Sequence, residues 1–470
     1  MTTNEIAGLG VELADFLGEF RDCFARAETR GKLEIYLRGQ LSQLPRKSIE
    51  PIALEAGISP RSLQEFLASD VWDEDLLRAH MAHLITRDHA DEQSIGIIDE
   101  SGHPKKGINT PGVSRQYCGR TGKVDNCVMT VHLTYADFNG DFHTMVDSEL
   151  YLPKAWDEDR ERCRAAKIPD SVVYRPKYDI ALEQLDRARA AGVNFAWITA
   201  DEWYSQKPKF LRGLETRGVR YVLEIPKNFA MWLHDPVSGQ NSPSKPVENL
   251  VRYSRPLMTQ SWERYQIKDT DHGPMVWEVK ATPCWLPRRE GPAAVVGPYW
   301  LIVARNVLNP TEIKYFISNA EAGVPLTVLL HVAFRRWPVE RCLQDEKTEL
   351  GLSHFEVRSY PSLKRHLLLT QVSHLYLARQ TLRLRGEKSG GHIAAIAQGD
   401  RLNVEELDPD RLEPSRRAGE DREEAQLLAT PQRSSPRVPH QNPPRTPETT
   451  AHRPRTNPKL SPRLIKQGAL

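Results

Sequence analysis

Three acids carry the chemistry open to this sequence. Asp99 follows the apolar run Ser94-Ile-Gly-Ile-Ile98, Asp201 follows Phe195-Ala-Trp-Ile-Thr-Ala200, and Glu340 lies in Arg336-Trp-Pro-Val-Glu-Arg-Cys-Leu-Gln-Asp-Glu-Lys347. Both apolar runs have the length and composition of buried central strands. An acid directly after such a strand stands where open α/β sheets present their functional groups. A single aspartate there is more simply a helix cap or a turn residue, but two of them together read as a metal-binding pair. Converging carboxylates suit hard cations such as Mg²⁺ or Mn²⁺. Two such ions can activate an attacking oxygen and stabilise a leaving one in phosphodiester cleavage.

The third acid must come from a helix lying across those strands. Pro338 suits the first turn of a helix running from Pro338 to about Leu350, which puts Glu340 near its N-terminal end. Glu340 and Lys347 are separated by about 20° around that helix, so they share a face. Lys347 and Arg336 are expected to contact DNA phosphates. The plain alternative is a solvated Glu–Lys face, and Asp345 and Glu346 are neighbouring acids that share that face less well.

The elements that must position these groups follow from patterning. Residues 1–90 predict a helical N-terminal domain, with a helix over Val11–Arg26 and a possible helix-turn-helix within Arg46–Leu67 that turns at Gly57; an ordinary pair of helices explains that segment equally well. Residues 91–226 predict the first part of a mixed α/β core: strands at Ser94–Asp99, Val128–Tyr135 and His143–Leu152, a helix at Asp179–Gly192, a strand at Phe195–Ala200, a helix at Lys207–Arg217 and a strand at Tyr221–Ile225. Residues 227–330 predict a β-rich insertion, and 331–388 the helical remainder of the core. Residues 389–470 are dominated by Pro, Arg, Ser, Thr and Gln and predict a low-complexity, disordered tail.

Composition narrows the class without naming a partner. With 64 Lys and Arg against 62 Asp and Glu, the net charge is +2, so any basic surface is local. The six cysteines form no C-x-x-C pair, which argues against a zinc knuckle or a disulfide framework and fits a reducing cytosol. No secretory leader or membrane-spanning run is visible, giving the expectation of a soluble, cytoplasmic protein. Gly119-Arg-Thr-Gly-Lys-Val124 lacks the spacing of an ATP phosphate loop, and Arg115–Lys123 reads as a basic loop near the first acid, with DNA contact and a plain surface loop as nearly equal alternatives. His103 reads as a solvated loop residue, with a neighbour of metal or phosphate as the alternative, and most of Trp262, Trp277, Trp285 and Trp300 read as packing residues.

The residues in order resemble a known family. Ile98-Asp-Glu-Ser-Gly-His-Pro-Lys-Lys-Gly107, Gly112–Asn126, Thr199-Ala-Asp-Glu-Trp-Tyr204, Arg336–Lys347, Gly351-Leu-Ser-His-Phe-Glu-Val-Arg358 and His366 are similar to bacterial insertion-sequence transposases of the DDE type. The closest likeness is to the group with a Tyr–Arg–Glu–Lys signature. The resemblance implies a ribonuclease-H-like core with a β-rich insertion, a metal triad of Asp99, Asp201 and Glu340, and two Mg²⁺ or Mn²⁺ ions. It also implies double-stranded DNA as partner, contacts from Arg336, Lys347, Lys105, Lys106, Arg115 and Arg358, and a homodimer or larger assembly on DNA. The activity implied is DNA cleavage at element ends followed by strand transfer. The alternatives are a nuclease without strand transfer and a non-catalytic DNA-binding remnant that represses transposition. Ala333 stands where the signature has its tyrosine.

Overall fold

The computed structural model describes residues 3–236, 243–270, 273–287 and 295–385. The predicted tail, 389–470, lies outside the described residues.

The chain opens with α1 (Thr3–Gly18), α2 (Ala27–Leu41), α3 (Ile49–Glu55), α4 (Pro60–Ala68) and α5 (Glu74–Asp88). The helix expected over Val11–Arg26 instead ends at Gly18, and a 3-10 turn at Arg21–Cys23 follows. Glycine is a poor helix former, and a break there still buries Phe16, Phe20 and Phe24. Between α3 and α4 the chain turns at Gly57, whose φ of 67° lies in the left-handed region that favours glycine. Gly39 of α2 lies so close to Ile52 of α3 that a Cβ there would approach Ile52 Cγ2 to 2.4 Å.

Four strands then form the antiparallel part of the sheet: β1 (Ile95–Pro104), β2 (Ser114–Cys118), β3 (Lys123–Ala136) and β4 (His143–Leu150). The short helices α6 (Lys154–Asp157) and α7 (Arg160–Ala165) lead to α8 (Lys177–Ala190). After it come β5 (Trp197–Ala200), α9 (Glu202–Ser205), α10 (Pro208–Thr216) and β6 (Arg220–Ile225). β5 runs parallel to β1 and β6 parallel to β5, as strand–helix–strand connections require.

Four of the six described strands in the β-rich stretch extend this same sheet, and the other two pair with each other. The stretch contains β7 (Ala230–Met231), β8 (Lys245–Pro246), α11 (Val247–Tyr253), α12 (Arg255–Thr259), β9 (Glu263–Thr270), β10 (Gly273–Pro287), β11 (Val295–Asn306) and β12 (Ile313–Ser318). Because β12 pairs antiparallel with β6, the strand order is β2-β3-β1-β5-β6-β12-β11-β10-β9, with β4 also on β3. β1 and β5 therefore lie well inside a wide mixed sheet. The alternating burial expected of half-covered strands is lost in them, and Trp197, Ile198, Thr199 and Ala200 are all buried.

The chain returns with α13 (Leu326–Phe334), α14 (Trp337–Thr348) and α15 (Tyr360–Arg385). α14 packs against β1 and α15 against β4. α15 also ties the N-terminal helices to the core. Tyr36 Oη lies 2.8 Å from His366 Nδ1, Gln40 Nε2 donates to Thr370 Oγ1 at 2.9 Å, and Arg365 pairs with Glu74 at 2.9 Å.

Candidate active site

The parallel pairing of β1 with β5 places the first two acids. Its register ends at Ile98 opposite Ala200, so Asp99 and Asp201 occupy the next position on adjacent strands. Asp99 does not end its strand, as the sequence predicts. β1 continues to Pro104 because β3 pairs with it along that whole length. Only the parallel neighbour stops, and that ending leaves Asp99 beside Asp201.

Each carboxylate is fixed by backbone donors. Asp201 is the N-cap of α9 and accepts from Trp203 N at 2.9 Å and Tyr204 N at 3.3 Å, both on Oδ1. Asp99 Oδ1 accepts from Glu100 N at 2.7 Å. The cap reading of Asp201 is therefore correct at the level of local structure. A cap alone would not place a second carboxylate beside it in the sheet.

Burial pushes the Asp99 carboxyl up to about 7, with the charge of Asp201 adding to the effect. Asp201 is also raised, first by burial, while its backbone donors and Arg336 pull the other way. These are two partly buried carboxylates of like charge, each costly to ionise beside the other. Hard oxygen donors under that repulsion suit a divalent cation, which would remove it.

Arg336 joins the site as a cation. Its Nη1 lies 3.8 Å from Asp99 Oδ2 and its Nε 3.9 Å from Glu224 Oε2. Lys347, a helix length away on α14, is partly buried; desolvation lowers its pKa and the charge of Asp99 opposes that shift. α14 thus brings Lys347 towards β1, while Arg336, which immediately precedes it, reaches Asp99. The side chain of Glu340 lies outside the described residues, although its helix is described. Among the described residues no three His, Cys, Asp or Glu side chains form a group able to hold a metal ion.

Glu224 escaped the sequence reading. It interrupts the buried strand Tyr221-Val-Leu-Glu-Ile225, raises the pKa of Asp201 and pairs with Lys314 at 2.9 Å. The signal was present, since it is an acid in an apolar strand next to β5. Glu100 was missed as well; it pairs with Lys177 at 2.7 Å immediately beside Asp99.

Other expected contacts are dispersed. Lys106, Arg115 and Arg358 are exposed, and Lys105 donates to the carbonyls of Phe355 at 2.6 Å and Ser353 at 3.1 Å. His103 corrects the solvated reading. It is buried on β1, with Nδ1 2.9 Å from Ser353 Oγ and Nε2 2.8 Å from Thr130 Oγ1, because β1 runs on past the point expected. Gly119–Gly122 is the turn between β2 and β3. Of the tryptophans, Trp277 is buried and packs on Phe334, whereas Trp262 is flanked by Arg305 at 4.2 Å and Lys280 at 4.6 Å. Ala333 is buried on α13. All six cysteines are buried thiols outside any disulfide, and no described helix is long and apolar enough to cross a membrane.

Comparison with known proteins identifies the family. A probable transposase for insertion sequence element IS701 from Microchaete diplosiphon is 28% identical over 332 residues, covering 69% of this chain and 76% of that protein. The crystal structure of the NurA nuclease from Sulfolobus solfataricus aligns with 63% of this chain and 84% of its own at 10% identity, with a TM-score of 0.25, a likeness too slight to define the fold. The family described as DDE superfamily endonuclease matches residues 19–272, a span that includes both Asp99 and Asp201. The chain belongs to the DDE superfamily of endonucleases.

Proposed function

We propose that this endonuclease is a transposase that cuts double-stranded DNA at the ends of its element and joins the freed 3′ hydroxyl to target DNA. The observation that carries the reading is the adjacency of Asp99 and Asp201 at the open end of the β1–β5 pairing. The strand order β4-β3-β1-β5-β6, with β1, β3 and β4 antiparallel and β5 and β6 parallel to β1, supports a ribonuclease-H-like core. In that reading Glu340, carried by α14, completes the triad with Asp99 and Asp201.

The carboxylates fit Mg²⁺ or Mn²⁺, two ions in the full site, which when bound supply Lewis-acid stabilisation to the phosphate and a more acidic attacking water. The chain's own residues hold the reactants. Asp99 on β1 and Asp201 at the start of α9 are fixed by backbone hydrogen bonds, so little reorganisation is needed when charge builds. Arg336 and Lys347 offer positive charge to the scissile and neighbouring phosphates. Water and then the 3′ hydroxyl use the same site for successive in-line displacements, with no covalent enzyme intermediate. Cutting two ends together calls for a dimer or larger assembly on DNA.

The test is cleavage of labelled DNA from the boundary of the element, with Mg²⁺ or Mn²⁺, by wild type and Asp201→Ala. Metal-dependent nicking at the boundary that disappears in the variant is expected. Tight binding without cleavage by either protein would overturn the enzyme reading in favour of a DNA-binding repressor. Cleavage without any joined product would leave a nuclease.

A further inference from the structure

A cavity of about 720 Å³ lies where the α2–α3 linker meets the end of β1 and the loop after α14. Arg46, Lys105, Lys106 and Arg358 line it, with Glu356 as the one acid among its lining residues. Basic side chains dominate the charged part of this lining, a balance that suits an anion. Arg46 and Glu356 form an ion pair in which each side chain is 60% exposed, so a solvent-screened contact holds them and another anion can replace Glu356 at little cost.

Further cations act on the residues around the cavity. Arg46, Arg120, Lys105 and Lys47 all act on His354, whose pKa is lowered first by burial and then by these cations. Both Arg120 and Asp99 act on Lys347, the first lowering its pKa and the second raising it. The excess of basic over acidic side chains lining the cavity suits a polyanion such as a nucleic-acid backbone.

The obvious alternative surface is less suited to DNA. α4, the second helix of the possible helix-turn-helix, buries Leu63, Phe66 and Leu67, and α15 packs against it. On its exposed side Arg61 is paired with Glu65 at 2.9 Å. That face offers phosphate little net charge.

We propose that the cavity holds the sugar–phosphate backbone of duplex DNA, and that the N-terminal helices meet DNA here through Arg46 rather than through α4. This rests on the DNA-cutting function proposed above. Phosphate contacts of this kind set the position of the duplex without reading its sequence.

The experiment measures binding of full-length protein to a short labelled duplex of arbitrary sequence across a salt series, alongside metal-dependent nicking of plasmid DNA. Arg46→Glu with Lys106→Glu should lower the slope of log affinity against log salt by about 1 for each lost contact and weaken binding at least tenfold. Glu356→Gln should tighten binding, an effect that loss of structure would not produce. Arg61→Ala on α4 should leave both unchanged. If wild type binds and nicks but the double variant keeps its salt slope, or Arg61→Ala alone reduces it, the cavity assignment is overturned and the catalytic reading stands. If wild type neither binds nor nicks DNA, both fall.

Discussion

Asp99 and Asp201 stand side by side because the parallel register of β1 and β5 ends one residue earlier, at Ile98 opposite Ala200. Two strands distant in sequence thereby present like charges to the same point. The first consequence concerns stability. The folded protein holds the Asp99 proton up to about pH 7, against an ordinary value of 3.8. Between those limits the folded state binds more protons than the unfolded chain, so the favourable contribution present at low pH is lost as pH rises through 7. In the presence of a chelator, Asp99→Asn should therefore raise the melting temperature by several degrees at pH 8, with the gain vanishing near pH 4. A melting temperature equal to or below that of wild type at pH 8 would contradict the burial of this charge.

The same substitution should have the opposite effect with metal. Calorimetric titration with Mn²⁺ should detect binding to wild type and at least tenfold weaker binding to Asp99→Asn or Asp201→Asn, because each removes a charged hard donor. Equal affinities would place the metal elsewhere.

Arg336 stands between Asp99 and Glu224 at 3.8 and 3.9 Å. Arg336→Ala should slow DNA nicking on the order of 10²-fold, as loss of one preorganised electrostatic group commonly does. Arg336→Lys should recover only part of this, since a single ammonium cannot reproduce the guanidinium fork. Full activity in the alanine variant would remove Arg336 from the site.

A layer of buried histidines makes the fold acid-sensitive. Burial holds His132 and His374 down to about 3 and His366 down to about 4, against an ordinary 6.5. The unfolded chain takes up protons first as pH falls, so stability declines from about pH 6.5 towards these lower values. The loss approaches about 1.4 kcal/mol per histidine per pH unit in that window. Urea unfolding at pH 7 and pH 5 should show a clear fall in the midpoint, and a flat profile would refute the assignment of neutral, buried rings.

Gly39 allows α2 and α3 to approach closely. Gly39→Ala would bring a Cβ to 2.4 Å from Ile52 Cγ2, and overpacking of this kind costs about 1–3 kcal/mol. Adding Ile52→Ala, which removes both Cγ atoms that this Cβ would meet, should offset part of it in a double-mutant cycle. Additive losses would show that the two residues do not meet.

Much of this protein was legible in its sequence. Apolar runs ending in acids marked the strands of Asp99 and Asp201, Pro60 and Pro338 marked helix starts, and Gly57 marked a turn, because these are local preferences of backbone and burial. The tertiary structure decided what lies side by side. Strand pairing carries β1 past Asp99 and buries His103, and it brings Glu224 towards Asp201 and Arg336. The β-rich stretch joins the edge of the same sheet through β12 and β6, and the linker holding Arg46 comes to rest against Glu356. Such partners are separated by tens to hundreds of residues, and their meeting depends on register, twist and packing of the whole chain, which no local pattern encodes.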